Sequence, residues 1–165
     1  MFLRINAKIG KKPWLDSLMY FCGQWLIWIL FFGFIFFVGK EYAATGEEMR
    51  IIQSFTVFAL GYGLSYGVAL LYPHKRPKKE FEEIKELIHT FGTWKSFPSD
   101  HTIAITILAC LLSVFGSAWY VVWLYVLAGS LVAVSRVYTG VHYPRDILGG
   151  VIVGVLSVCV VFLLL

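Results

Sequence analysis

The sequence predicts an all-α integral membrane protein: one domain over residues 1–165, a bundle of five transmembrane helices with short interfacial amphipathic helices. Three observations carry this. Of 165 residues, 59% are hydrophobic and 15% charged, whereas soluble chains carry about a quarter charged residues. Mean hydropathy is +0.76. The charges also cluster, leaving 17–38, 51–72, 102–135 and 147–165 without one Asp, Glu, Lys or Arg. Roughly 20 residues of helix cross a hydrocarbon core.

Arg4, Lys8, Lys11 and Lys12 precede the first apolar run, and Leu3, Ile5 and Ile9 among them predict a short interfacial segment. The run is longer than a signal-peptide core, and Gly39-Lys40-Glu41 ends it without a small-x-small cleavage site, so it is expected to be a retained span over 17–38. A polar loop, 39–50, leads to a second span over 51–71. The block 102–135 is too long for one crossing. Gly116-Ser117-Ala118 divides it into a third span of about 15 residues and a fourth, and the fifth runs from 147 onward. Gly150 and Gly154 give that last helix a small-xxx-small face suited to close packing. In the long connection 73–100, Phe81, Ile84, Leu87, Ile88 and Phe91 recur at helical spacing and predict an amphipathic surface helix.

Several classes are excluded. Cys22, Cys110 and Cys159 lie within apolar runs at no useful spacing and read as small hydrophobes. The net charge of +4 comes without a basic, aromatic-interleaved soluble face. The expected partners are therefore the bilayer and an anionic membrane lipid, and no nucleic acid. No metal-ligand spacing is present, and no metal or cofactor is expected.

Five crossings put 73–100 and 138–145 at the same end of the bundle, and there the chemistry gathers. Pro98-Ser99-Asp100-His101 opens the third helix, so the free N–H groups of Ser99, Asp100 and His101 form an anion seat. Ser135-Arg136 closes the fourth helix, and His142 and Asp146 follow. Tyr72-Pro73-His74-Lys75-Arg76-Pro77 leaves the second. Arg76 and Arg136 can each clamp an oxyanion through two hydrogen bonds. Two histidines and a carboxylate provide for nucleophilic attack and proton transfer. Together they describe phosphoryl transfer. Ser135 reads as a helix-end hydrogen-bonder, Gln24 as a packing residue, and His74 and His89 as surface or interface residues. Trp14, Trp94, Trp119 and Tyr143 read as interfacial anchors.

These residues resemble the type-2 phosphatidic acid phosphatase superfamily. Ser135-Arg136-(five)-His142-(three)-Asp146 matches its SRxxxxxHxxxD signature throughout, Pro98-Ser99-Asp100-His101 matches PSGH at three of four positions, and Arg76-Pro77 matches the end of KxxxxxxRP. The resemblance implies that His142 is the nucleophile, passing through a phosphohistidine. It implies that Asp146 orients the His142 ring, and that His101 protonates the leaving oxygen and then activates water. Arg76, Arg136 and Ser99 would hold the phosphoryl oxygens.

The chain departs from the pattern twice. The Lys expected seven residues before Arg76 is Ala69, for which Lys75, Lys78 or Lys79 from the loop would substitute. The Gly of PSGH is Asp100, a carboxylate that repels phosphate unless it turns away or pairs with a cation. The PSDH variant resembles undecaprenyl-diphosphatase-like members. The substrates expected, in order, are therefore undecaprenyl diphosphate, lipid A 1-phosphate and phosphatidylglycerophosphate, then phosphatidic acid. The non-enzymatic alternative is a catalytically impaired lipid-binding or scaffolding protein. Vanadium haloperoxidases share the resemblance but are soluble. Twelve of the 14 Lys and Arg, all but Lys40 and Arg50, lie at the motif end, which by the positive-inside rule faces the cytoplasm. The resemblance instead implies the periplasmic face of the inner (plasma) membrane, and several of these cations have substrate to bind. The periplasmic face is the expectation adopted.

Overall fold

The computed structural model describes residues 2–90 and 94–164, and these are helix and connecting loop throughout. The elements are α1 (Phe2–Asn6), α2 (Pro13–Gln24), α3 (Leu26–Thr45), α4 (Met49–Leu71), α5 (Pro77–Glu80), α6 (Asp100–Val114), α7 (Trp119–Tyr138) and α8 (Pro144–Leu164). Among the described residues, four helical stretches are long and apolar enough to cross a membrane: α2 and α3 taken together, α4, α7 and α8. The apolar α6 has 15 residues.

α6 is the axis of the bundle. Ile103, Ile107, Leu108 and Leu111 are fully buried, because α3, α4, α7 and α8 all pack around this helix. The outer helices turn Phe36, Phe55, Leu70, Trp123 and Leu127 outward, as expected where the surrounding solvent is hydrocarbon. α6 and α8 approach most closely through the glycine face anticipated from sequence. A Cβ on Gly150 would stand 2.8 Å from the Ser99 carbonyl oxygen and 2.7 Å from Thr102 Cβ, and one on Gly154 would stand 2.8 Å from Thr106 Cβ.

Contacts distinguish the two ends. At one, the Asn6 amide brackets Lys85, donating to its carbonyl (2.8 Å) and accepting from its N–H (3.0 Å). Leu87 N–H donates to the Thr139 carbonyl (3.2 Å). Gly140, at φ +80, lies against the Lys85 carbonyl, where a side chain would collide. At the other end Arg50 pairs with Glu41 (3.1 Å) and lies 5.5 Å from the Phe115 ring centroid. The turn at 115–118 forms as expected: Gly116 takes φ +75 and Ser117 N–H bonds the Leu112 carbonyl (3.0 Å).

Three expectations require correction. The polar loop expected over 39–50 shrinks to 46–48, because α3 runs on to Thr45 and α4 begins at Met49. The first apolar run is not one helix. It breaks at Trp25, and the freed Gly23 carbonyl accepts a hydrogen bond from Arg136. The amphipathic helix expected over 81–91 is absent through residue 90: only Pro77–Glu80 is helical, and turns and irregular backbone follow. Phe91 lies outside the described residues. The apolar spacing has another use here, since Ile84 and Ile88 are buried as plugs while Phe81 is exposed. The backbone at Lys85 and Leu87 also bonds Asn6 and Thr139 instead of its own next turn.

Gly150→Val should force α6 and α8 apart. Overpacking of this kind costs about 1–3 kcal/mol, so thermal unfolding in detergent should fall by several degrees. Gly63→Ala, in open space, is the matched control. Equal stability of the two variants would refute the close-packing account.

Candidate active site

The ends of four helices and two loops converge at the end of the bundle marked by Asn6, Lys85 and Gly140. Arg76 precedes α5, Asp100 and His101 form the first turn of α6, and Arg136 sits in the last turn of α7. His142 lies in the following loop and Asp146 in the first turn of α8. Arg76, Asp100, His101, Arg136 and His142 share the wall of one cavity of about 280 Å³.

Asp146 is fully buried. Its Oδ2 accepts from Ser96 Oγ (2.6 Å) and Tyr143 N–H (2.9 Å) and faces His142 Nδ1 at 3.4 Å. Its carbonyl accepts from Ser99 N–H (3.0 Å), fastening α8 to the start of α6. With Nδ1 turned toward the carboxylate, Nε2 is the ring nitrogen left for attack. The six-residue step from Arg136 to His142 is closed by the backbone: the N–H groups of Val141 and His142 both donate to the Arg136 carbonyl at 3.2 Å.

Both guanidiniums are held by carbonyls and keep donors in reserve. Arg136 Nη1 donates to Gly23 O (3.1 Å), and its buried Nε has no partner among the described residues. Arg76 Nε donates to Lys95 O (3.2 Å), and its buried Nη1 has none. Buried donors left by the protein fold suit an anion. Burial lowers the Arg76 guanidinium from its ordinary value, while Glu86, Asp100 and Asp146 pull it back up. Burial also holds the His142 imidazole down to about 4. The Asp146 carboxylate beside it opposes that shift and the charge of Arg136 adds to it. His142 is therefore neutral near pH 7, the state in which an imidazole attacks.

The other expected residues fall as follows. Ser99 is fully buried at the N-cap of α6, behind the cavity wall, with its hydroxyl unbonded. Lys75 is exposed and outside the wall. Asp100 takes the second course open to it: its Oδ1 pairs with Lys95 and accepts from Ser65 Oγ (2.8 Å). Lys95, Ser96 and Ser65 were not anticipated, and neither were Gln24, Trp28 and His89 as wall residues. A hydroxyl three residues ahead of Ser99 is the only sequence signal for Ser96. Gln24, a polar residue inside a span, was the available signal at its position.

His101 also ends a second, apolar cavity of about 340 Å³ between α3 and α4. Trp28 and Phe31 line it from α3, and Phe55, Phe58 and Tyr62 from α4. These two helices, joined by a three-residue turn, meet through Arg50–Glu41 and Phe31–Phe58, and both also pack on α6.

A sequence model of the PAP2 superfamily matches residues 50–165. YbjG of Escherichia coli (strain K12), whose name assigns it provisionally to the undecaprenyl-diphosphatases, is 32% identical over 157 residues, 95% of this chain and 77% of that protein. The bacitracin transport permease protein BcrC of Bacillus licheniformis is 28% identical, over 96% of this chain and 76% of its own. Among solved structures, LpxE of Aquifex aeolicus superposes with a TM-score of 0.73 at 23% identity, over 98% of this chain and 92% of that one.

A folded-state value near 4 lies below the roughly 6.5 of a free imidazole, so His142 should stay uncharged across that interval. In ¹⁵N NMR of histidine-labelled protein in micelles, the resonances missing from His142→Ala should report a neutral ring at pH 5.5. Titration of those resonances near 6.5 would contradict the burial argument.

Proposed function

The chain belongs to the PAP2 superfamily and is a membrane lipid phosphatase, and from that premise we propose that it cleaves a phosphoryl group from a lipid phosphomonoester or diphosphate through a phosphohistidine, without a metal. His142 Nε2 attacks phosphorus, forming the P–N bond as the bond to the leaving oxygen breaks. His101 donates the proton that oxygen needs. Water then attacks the phosphohistidine and gives its proton to His101, releasing inorganic phosphate and restoring neutral His142. Arg76 and Arg136 hold the non-bridging oxygens as charge redistributes among them, with the unbonded Ser99 hydroxyl close behind.

One observation carries the reading: a buried His142 faces Asp146 and shares a cavity with two guanidiniums that have donors in reserve. The apolar cavity beyond His101 supports a lipid as the substrate, because a phosphate at His142 would have its hydrocarbon chain beside Trp28, Phe31 and Phe55.

Undecaprenyl diphosphate is the substrate this reading puts first, on the PSDH motif and the likeness to YbjG. Lipid A 1-phosphate, phosphatidylglycerophosphate and phosphatidic acid follow. The chain would make five crossings, with α6 as the short one, and place the site at the periplasmic face of the inner (plasma) membrane.

Purified protein in detergent with EDTA should release inorganic phosphate from one or more of these four lipids, fastest from undecaprenyl diphosphate. His142→Ala should lower the rate by about 10³-fold or more. Release that needs a metal, or that survives this substitution, would sink the histidine mechanism. For orientation, a cysteine introduced in the loop 46–48 should escape an impermeant thiol reagent in intact cells. Its labelling would put the site in the cytoplasm.

A further inference from the structure

The two departures from the family pattern, Ala69 and Asp100, meet at one residue that no motif contains. Ala69 is fully buried on α4. Ser65, one turn earlier on the same face, donates to Asp100 Oδ1 at 2.8 Å. Helical side chains lean toward the N-terminus, so a lysine at 69 would run back along that face toward Ser65 and Asp100. An ammonium already stands there. Lys95, in the segment before α6, places Nζ on the same Asp100 Oδ1. Its Nζ lies 4.9 Å from the ring centroid of Tyr66, the neighbour of Ser65.

Three features set Lys95 apart from the loop lysines first expected to substitute. It is nine-tenths buried, and it shares the cavity wall with Arg76, Arg136 and His142. Its carbonyl also accepts from Arg76 Nε at 3.2 Å, so the two cations position each other. Lys75 and Lys79 are exposed, and Lys78 Nζ is bonded to the Glu82 carbonyl. An ammonium has three donors, and Asp100 uses one. Asp100 keeps 41% of its side chain exposed, where an uncompensated carboxylate would repel an incoming phosphate. With Lys95 against it, the pair is neutral and still has donors to offer.

We propose that Lys95 is the phosphate-binding cation that the family pattern places at position 69, delivered from the loop before α6 instead of from α4, with Asp100 as the counter-ion that holds it at the cavity wall. Ala69, Asp100 and Lys95 then form one compensated set. The role rests on the phosphatase reading above, but its test does not need turnover.

The probe is inorganic phosphate, titrated calorimetrically into detergent-solubilised protein. Lys95→Met and Lys95→Gln should each weaken phosphate binding by about 10- to 100-fold, the size expected for loss of a charge-assisted hydrogen bond. Lys95→Arg should keep most of the affinity. Ala69→Lys should restore binding in the Lys95→Met background and add little to the wild-type chain. In lipid assays the Lys95→Met defect should appear in KM as well as kcat. Unchanged phosphate affinity in a folded Lys95→Met or Lys95→Gln protein would overturn the proposal. So would a loss that neither Lys95→Arg nor Ala69→Lys repairs, since that is the signature of a merely structural residue. Wild-type protein that binds phosphate through Lys95 yet hydrolyses no lipid would fail the phosphatase reading and leave this assignment standing.

Discussion

The buried carboxylate of Asp146 ties the site end of this bundle together through Oδ2, while its Oδ1 has no hydrogen-bond partner among the described residues and stands 3.8 Å from Arg145 Nε. Ser96 and the Tyr143 N–H satisfy Oδ2, and His142 faces the same oxygen. The residue's carbonyl receives the first free N–H of α6, from Ser99. One residue thus joins the pre-α6 loop, the start of α6, the α7–α8 loop and the start of α8. The order that holds Asp146 Oδ2 also turns His142 Nδ1 toward the carboxylate and keeps His142 in the cavity wall. Stability and chemistry cannot be separated at this point, because removing the carboxylate strands Ser96 and frees the imidazole together.

The remaining architecture serves this junction. α6 is short because it is enclosed: its first turn lies at the site, and its buried Ile and Leu residues fill the middle of the bundle. The α8 glycines let that helix lie against α6 closely enough for Ser99 to reach Asp146. Arg136 reaches across to the break at Trp25, so the irregularity in the first apolar stretch supplies the carbonyl that seats this guanidinium at the cavity wall. The cavity between α3 and α4 leads apolar space up to His101.

The four long apolar stretches were legible because each charge-free run exceeds what a soluble core helix needs, and His142 and Asp146 were legible through the spacing of the SRxxxxxHxxxD signature. The Trp25 break was not, since the charge-free run continues through it and the partner of the freed Gly23 carbonyl, Arg136, lies 113 residues away. The stretch 81–90 misled for a related reason. Ile84 and Ile88 have helical spacing, but Asn6 and Thr139 compete for the backbone between them, and such distant partners leave no mark on local periodicity. Lys95 and Ser96 escaped notice because nothing near them distinguishes a lysine or serine that folds into a cavity from one left in a loop. Asp100 stands out in the sequence as a carboxylate that must either turn away from phosphate or pair with a cation. That it pairs, and that the cation is Lys95, emerges only from the folded arrangement.

The account stands on His142 as the atom donor to phosphorus. The most direct measurement is to mix the protein with its lipid substrate in the steady state, quench in base, where phosphohistidine survives, and map any phosphoryl adduct by peptide mass spectrometry. One phosphoryl group on the peptide bearing His142, absent from His142→Ala, is the predicted result. Steady turnover with the adduct on another residue would contradict the mechanism at its first step.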